Sequence, residues 1–339
     1  MGAVISLNPD TSPLGNAVER LVNLVSDDLD AVNDVIVDRM QSPVEMIPTL
    51  AGHLISSGGK RLRPLLTLST ARMLGVDTDA HVKLAAAVEF IHTATLLHDD
   101  VIDESVLRRG KTAANVLWGN KSSVLVGDFL FSRSFRLMVE VGSFEVLDIL
   151  SNAAAVIAEG EVMQLSTAKD TATSEEDYMA VIEAKTAALF AAAARSGGIA
   201  AGATKEQEDA LDQFGRNLGI AFQLVDDALD YSGRQATLGK TVGDDFRDGK
   251  ITLPVVLAYR RGTDEERTFW QRTLEEGHQE EGDLHRATRL MEKYNTISDT
   301  IDRATKFGNA SRGALTKLPE GEFNSTLSEI IDFCVSRAY

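Results

Sequence analysis

Apolar residues return every three or four positions along most of the chain. Val82, Ala85, Ala86, Phe90, Ala94 and Leu97 form one such series, and Leu211, Phe214, Leu218, Phe222 and Val225 form another. This is the helical period, in which residues three and four apart share a face. Only 7 prolines interrupt it, and alanine-rich runs such as Ala184 to Ala194 are frequent. Alternating strand-like runs between Asn-Gly or Asp-Gly turns are not evident. The glycines tend to fall between helical segments, at Gly58-Gly59, Gly75, Gly110, Gly119, Gly142, Gly197-Gly198, Gly233 and Gly249. The pattern predicts an all-α, multi-helix bundle with short connections. There is no Pro/Ser-rich linker and no repeat of fixed period, so one domain over residues 1–339 is the simplest organisation. Residues 263–285 are polar enough to read as a surface excursion.

Composition narrows the class. The 339 residues suffice for a sizeable core, and 44% apolar with 25% charged is ordinary for a soluble protein. A formal net charge of −17 argues against nucleic-acid binding and against simple electrostatic attachment to anionic membranes. With one cysteine, Cys334, neither an intramolecular disulfide nor a cysteine-based zinc site can form. The first basic residue is Arg20, no apolar run reaches eighteen residues, and a cytoplasmic protein is expected.

Two acidic motifs carry the chemistry. Asp99, Asp100 and Asp103 follow a long apolar helical series, and Asp226, Asp227 and Asp230 repeat that pattern. Carboxylates four apart project from one helical face, roughly 6 Å apart along the axis. Clustered carboxylates repel unless a cation intervenes, and an oxygen-only set suits a hard ion such as Mg²⁺ that bridges to phosphate. One such motif could be a solvated helix end. Two, each ending an apolar helix, point to metal ions held around a diphosphate.

Basic residues stand out against the acidic background. Gly58-Gly59-Lys60-Arg61-Leu62-Arg63-Pro64 places three cations at a glycine-rich helix start, where backbone N–H groups favour anions. Arg108 and Arg109 follow the first acidic motif; Arg108 could instead pair with Glu104 at the surface. Lys185-Thr186 lies in the alanine-rich helix, where the lysine could snorkel to solvent or reach a phosphate. Lys240 and Lys250 bracket Asp244-Asp245. His92, seven residues before Asp99, shares its helical face.

Together these residues resemble the trans-isoprenyl diphosphate synthase (polyprenyl synthetase) family over roughly residues 40 to 335. The segment Glu89 to Asp100 and the stretch Asn120-Lys121-Ser122-Ser123-Val124-Leu125-Val126-Gly127-Asp128 are most similar to bacterial long-chain members that make octaprenyl to decaprenyl diphosphate for quinone side chains. The resemblance implies an isoprenoid-synthase bundle with a central active-site cavity, Mg²⁺ as cofactor, and isopentenyl diphosphate and an allylic diphosphate as substrates. It implies that Asp99 and Asp103 bind Mg²⁺ on the allylic diphosphate and that Asp226 binds another ion from the opposite side. It assigns Arg108, Lys185 and Lys240 to the allylic diphosphate, and Lys60, Arg63, His92 and Arg109 to isopentenyl diphosphate. Thr186 and Gln223 would lie near the reacting carbons, and Lys250 would close over the site. The family is usually homodimeric, and the product would be handed to a membrane or acceptor enzyme.

The implied reaction ionises the allylic diphosphate, lets the double bond of isopentenyl diphosphate attack the cation, and loses a proton to the released diphosphate. Product length should follow from Thr95 and Ala94, four and five residues before Asp99, where bulky aromatics stop chain growth early in the family. Both are small here, so a long product is expected rather than a farnesyl or geranylgeranyl one. A terpene cyclase would not need the second diphosphate site. A carboxylate di-iron bundle is suggested by Glu89-x-x-His92, but its only companion, Glu275-x-x-His278, sits in a polar stretch. A non-catalytic partner subunit is at odds with intact aspartate motifs.

Overall fold

The computed structural model describes residues 15–55, 59–232 and 243–336. It is helical almost throughout. In chain order the first helices are α1 (Gly15–Leu24), α2 (Ser26–Arg39), α3 (Met46–Ile55), α4 (Leu62–Met73) and α5 (Ala80–Ile102). After a short hairpin come α6 (Ala114–Trp118), α7 (Asn120–Val141), α8 (Phe144–Thr167) and α9 (Glu175–Ile182). A π-helical turn (Glu183–Ala187) joins α9 to α10 (Ala188–Ala200), and α11 (Lys205–Asp230) follows. Then come α12 (Asp244–Arg247), α13 (Leu253–Arg261) and α14 (Asp264–Trp270), a second π turn (Gln271–Glu275), α15 (Asp283–Lys293), α16 (Thr296–Leu315) and α17 (Glu322–Ser336). The all-α expectation is met.

Two compact units share these helices. One takes in the described parts of Met1–Ala154 with Leu189–Asp212 and Leu315–Ile330; the other takes in Ala155–Ala188, the described parts of Gln213–Ala314, and the end of the chain from Ile331.

In the first unit α5 is the central element and packs against α2, α4 and α7. Its 23 residues contain no glycine or proline, and Leu84 to Val88, Phe90, Ile91, Ala94 and Leu97 are buried. A helix buried on nearly every side needs apolar residues all round, which is why its sequence looks only weakly amphipathic. At ~25 cal/mol per Å² of apolar surface, each large side chain it buries contributes on the order of 2 kcal/mol.

In the second unit α9, α11 and α13 share a core of Tyr178, Ile182, Ile220, Leu224, Val225, Leu229, Leu253, Val256 and Leu257. A neighbouring core corrects the reading of 263–285 as a surface excursion. Phe269, Trp270 and Leu274 are buried with Phe246, Val255 and Met291. Three apolar residues in twelve were enough to seat α14 and the π turn, because Phe and Trp bury so much surface each.

Candidate active site

The first aspartate motif ends α5. Asp99 is half-buried, Asp100 is wholly buried, and Asp103 is the exposed C-cap, its N–H donating to the Asp99 carbonyl at 2.7 Å. The C-terminus of a helix already carries partial negative charge, and cations normally occupy its last turn. Here that turn holds aspartates and no basic residue. The arrangement costs about 0.3–1 kcal/mol per carboxylate unless positive charge is supplied from elsewhere.

Arg108 supplies some of it. Its Nε donates to Asp100 Oδ1 at 2.7 Å and its Nη2 donates to the same oxygen. The anticipated Glu104–Arg108 pair does not form, since α5 has ended and Glu104 turns left-handed (φ 51°). Arg108 instead lies in a two-stranded hairpin, β1 (Leu107–Arg108) with β2 (Lys111–Thr112), in which Arg108 pairs with Lys111. Arg109 and Gly110, at φ 52° and 75°, make the turn. Positive φ at both central residues matches strand twist in two-residue hairpins. Asn115 on α6 closes the local structure, its Nδ2 donating to the carbonyls of Asp100 (2.9 Å) and Ser105 (3.1 Å). On the other side Ser123 of α7 donates to the Leu97 carbonyl (3.1 Å), and the His98 ring lies against Gly127, where a Cβ would sit 2.3 Å from Nε2.

A cationic cluster forms where α4 begins. Arg61 is left-handed (φ 47°), donates to Asn33 Oδ1, and approaches buried Glu89 at 3.9 Å. Arg63 lies over the Phe190 ring at 4.5 Å and donates through Nη1 to His92 Nε2 at 3.3 Å. Burial, more than the nearby Arg109, pulls the Arg63 guanidinium down to about 10. Burial first, then Arg63, Arg109 and Arg108, holds the His92 imidazole well below the usual range, so it is neutral. Arg109 is likewise lowered, by burial first and then by Arg108 and Arg61. Arg61 Nη2 and Arg63 Nε are buried donors that meet no acceptor. Crowded guanidiniums with unused donors have the chemistry to take up an anion. Gly59 permits the assembly: a Cβ there would meet the Arg109 guanidinium at 2.6 Å. Lys60 is half-buried beside it.

The second unit holds the other motif. α11 also ends with aspartates and no basic residue in its last turn. Asp226 is half-buried, whereas Asp227 and Asp230 are buried. Asp227 Oδ1 accepts from Gln223 Nε2 at 2.7 Å, and its Oδ2 accepts from the Tyr178 hydroxyl. Desolvation, outweighing those two hydrogen bonds, pushes Asp227 up to about 7. Asp230 caps α12, accepting from the N–H groups of Asp244 (3.3 Å) and Asp245 (3.0 Å). Burial raises both Asp230 and Asp245, with neighbouring carboxylates adding to the effect. Lys250 sits 3.8 Å from Asp245 and 3.2 Å from Asp248.

Lys185 and Thr186 lie in the π turn. An extra residue per turn locally shifts side-chain direction, and such turns gather at functional sites. Lys185 Nζ contacts Glu161 at 2.7 Å and donates to Gln164, both on α8, while Thr186 donates to Gln223 Oε1 at 2.9 Å. Lys240 lies outside the described residues. Ala94 is buried, and Thr95 is half-buried with its hydroxyl turned back to the His92 carbonyl at 2.8 Å.

Sequence reasoning did not single out Asn115, Glu161, Gln164, Tyr178 or Asp245. Glu161 and Gln164 had a readable signal, since polar residues three apart in an apolar helix share a face. Tyr178 had none. The di-iron alternative finds no support, because Glu89 faces Arg61 and His92 accepts from Arg63. Among the described residues no three carboxylate, imidazole or thiol groups converge tightly enough to enclose an ion unaided. The donor set still fits a hard cation that keeps waters and completes its shell with ligand oxygens.

Comparison with known proteins gives the family. The polyprenyl synthetase family model matches residues 44–291. The octaprenyl diphosphate synthase of Escherichia coli K12 is 44% identical over 323 residues, covering 94% of this chain and 99% of that protein. The polyprenyl synthase of Caulobacter crescentus CB15, solved in complex with calcium and isoprenyl diphosphate, is 52% identical with a TM-score of 0.91, over 95% of this chain and 98% of that one. The decaprenyl diphosphate synthase of Rhodobacter capsulatus is 51% identical with a TM-score of 0.92, over 95% and 99%. The chain belongs to the polyprenyl synthetase family and is a prenyltransferase.

Proposed function

We propose that this enzyme is a long-chain trans-polyprenyl diphosphate synthase. It adds isopentenyl diphosphate repeatedly to an allylic diphosphate, and its product falls in the octaprenyl to decaprenyl range and serves quinone side chains. The observation that carries the proposal is the pair of helix C-termini, on α5 and α11, that carry aspartates and no basic residue. Such ends are stable partners for added positive charge and poor designs without it.

Asp99 and Asp103 at the end of α5, and Asp226 at the end of α11, would hold Mg²⁺, while Asp100, Asp227 and Asp230 are taken up by protein partners: Arg108, Tyr178 with Gln223, and the N–H groups of Asp244 and Asp245. An ion bound there would supply positive charge for the departing diphosphate. Arg108, Lys185 and Lys240 bind the allylic diphosphate through charge-assisted hydrogen bonds. Lys60, Arg63, Arg109 and neutral His92 bind isopentenyl diphosphate. Thr186 and Gln223 line the reacting carbons, and Lys250 closes over them. The proton lost after condensation passes to the released diphosphate, so no side chain need act as general base. With alanine at 94 and threonine at 95, no bulky side chain stands at these positions to stop a growing chain, which supports the long product.

The enzyme works as a homodimer in the cytoplasm and hands its product to a membrane. Exposed apolar side chains on and beside α7, among them Leu125, Val139 and Phe144, support the dimer. No helix among the described residues is long and apolar enough to cross a membrane. The test is a condensation assay with purified protein, farnesyl diphosphate and labelled isopentenyl diphosphate, with and without chelator. Mg²⁺-dependent incorporation is expected. Incorporation that survives chelation contradicts the metal assignment, and cyclic products contradict the condensation itself.

A further inference from the structure

We propose that Tyr178 is a positioning residue that fixes, through Asp227, the direction of the hydrogen-bond chain running by way of Gln223 to Thr186. The chain has four members and three links. The Tyr178 hydroxyl donates to Asp227 Oδ2, Gln223 Nε2 donates to Asp227 Oδ1 at 2.7 Å, and Thr186 Oγ1 donates to Gln223 Oε1 at 2.9 Å. Every link lies within the second unit.

The direction of such a chain is set by whichever member has no choice. An amide can present either end and a hydroxyl can turn, but both oxygens of Asp227 act as acceptors here, Oδ2 from Tyr178 and Oδ1 from Gln223. Asp227 therefore takes the NH₂ end of Gln223, which leaves Oε1 for Thr186. The single hydroxyl proton of Thr186 is then committed to Gln223. Its oxygen lone pairs, and not a proton, remain for whatever lies on its other side. Beside a carbon that develops positive charge, lone pairs stabilise and a proton does not.

Tyr178 makes the device rigid. Asp227 is 5% exposed, so water does not hold its second oxygen. The Tyr178 ring is locked in the core with Ile182, Leu224 and Val225, which places its hydroxyl at one point. With that donor in place, the carboxylate plane is set and Oδ1 stays aimed at Gln223. Without it the carboxylate can rotate, and the amide loses its reason to face one way. The residue never needs to touch substrate.

The inference rests on the proposed reading of Thr186 and Gln223 as lining the reacting carbons, and the experiment separates the two. Steady-state kinetics at pH 8 are measured for Tyr178→Phe, Thr186→Val and the double variant, with both substrates varied. Tyr178→Phe should lower kcat about tenfold while both KM values stay within about twofold. On a Thr186→Val background the same change should cost no more than about twofold, because the chain is already cut at its end. Full turnover in Thr186→Val removes the underlying reading. A loss in Thr186→Val with an undiminished further loss from Tyr178→Phe removes only the role of Tyr178, as does unchanged turnover in Tyr178→Phe. Should the phenylalanine variant melt too low to assay, 4-aminophenylalanine and 4-fluorophenylalanine at position 178 both fill the hydroxyl's space. The first keeps a donor and should retain turnover, and the second should not. Equal turnover in the two overturns the proposal.

Discussion

Asparagine at position 99 and asparagine at position 100 should have opposite signatures, though the two residues are adjacent and chemically alike. Asp100 is wholly buried, and Arg108 holds its Oδ1 through both Nε and Nη2. Hydrogen bonds to a buried charge contribute about 1.5–3 kcal/mol, partly offset by the relief of desolvation when the charge is removed. A net loss of about 2 kcal/mol is expected for Asp100→Asn, read as a fall in Tm of roughly 4 °C for a chain of this size. Asp99 is half-buried in the last turn of α5, where a negative charge is unfavourable. Asp99→Asn should leave the fold intact or stabilise it by about 0.3–1 kcal/mol, yet cut turnover by about a thousandfold. Asp100→Asn should retain measurable turnover with a raised KM for the allylic diphosphate, since Arg108 loses its anchor. Calorimetry and a condensation assay on the same preparations check both. A destabilised Asp99→Asn enzyme with near-normal turnover would refute the division of labour within the motif.

Ala94→Phe fills space one turn before Asp99 and should shorten the product without abolishing the first condensations; full-length product from the folded variant contradicts the steric account. Gly59→Ala must displace the Arg109 guanidinium, which a Cβ would meet at 2.6 Å, at a backbone φ of 144° that favours glycine. It should raise KM for isopentenyl diphosphate about tenfold with kcat little changed, and equal effects on both substrates would count against the placement of Arg109. Glu266 is held down to about 2 by Lys293, the Thr263 N–H and Tyr294. A carboxylate lowered in the folded state stabilises above its unfolded pKa, near 4.5, and loses that contribution as pH falls toward 2. Glu266→Gln should therefore cost about 2 kcal/mol near neutral pH after allowance for screening, with the difference from wild type closing below pH 4 in denaturant melts. A pH-independent difference would show that packing, not charge, is responsible.

Much of the architecture was legible because helices announce themselves by period. The two aspartate motifs were legible because four-residue spacing fixes a shared face whatever the tertiary context. Other features depend on contacts distant in sequence. The Arg108–Arg109 hairpin spans four paired residues, too few to leave an alternating pattern. The seating of residues 264–275 came from Phe269 and Trp270, whose size outweighed a polar neighbourhood. The π turn at Glu183–Ala187 has no composition of its own. Within each motif, spacing could not distinguish Asp99 from Asp100, or Asp226 from Asp227. That distinction comes from Arg108, Tyr178 and Gln223, which reach the buried carboxylates from other segments.

The most direct measurement is the length of the product made from farnesyl diphosphate, excess isopentenyl diphosphate and Mg²⁺, resolved by reversed-phase chromatography. A ladder ending in the octaprenyl to decaprenyl range is the predicted result. A stop at geranylgeranyl diphosphate, or no condensation by the folded protein, would contradict a long-chain synthase built on these two aspartate sites.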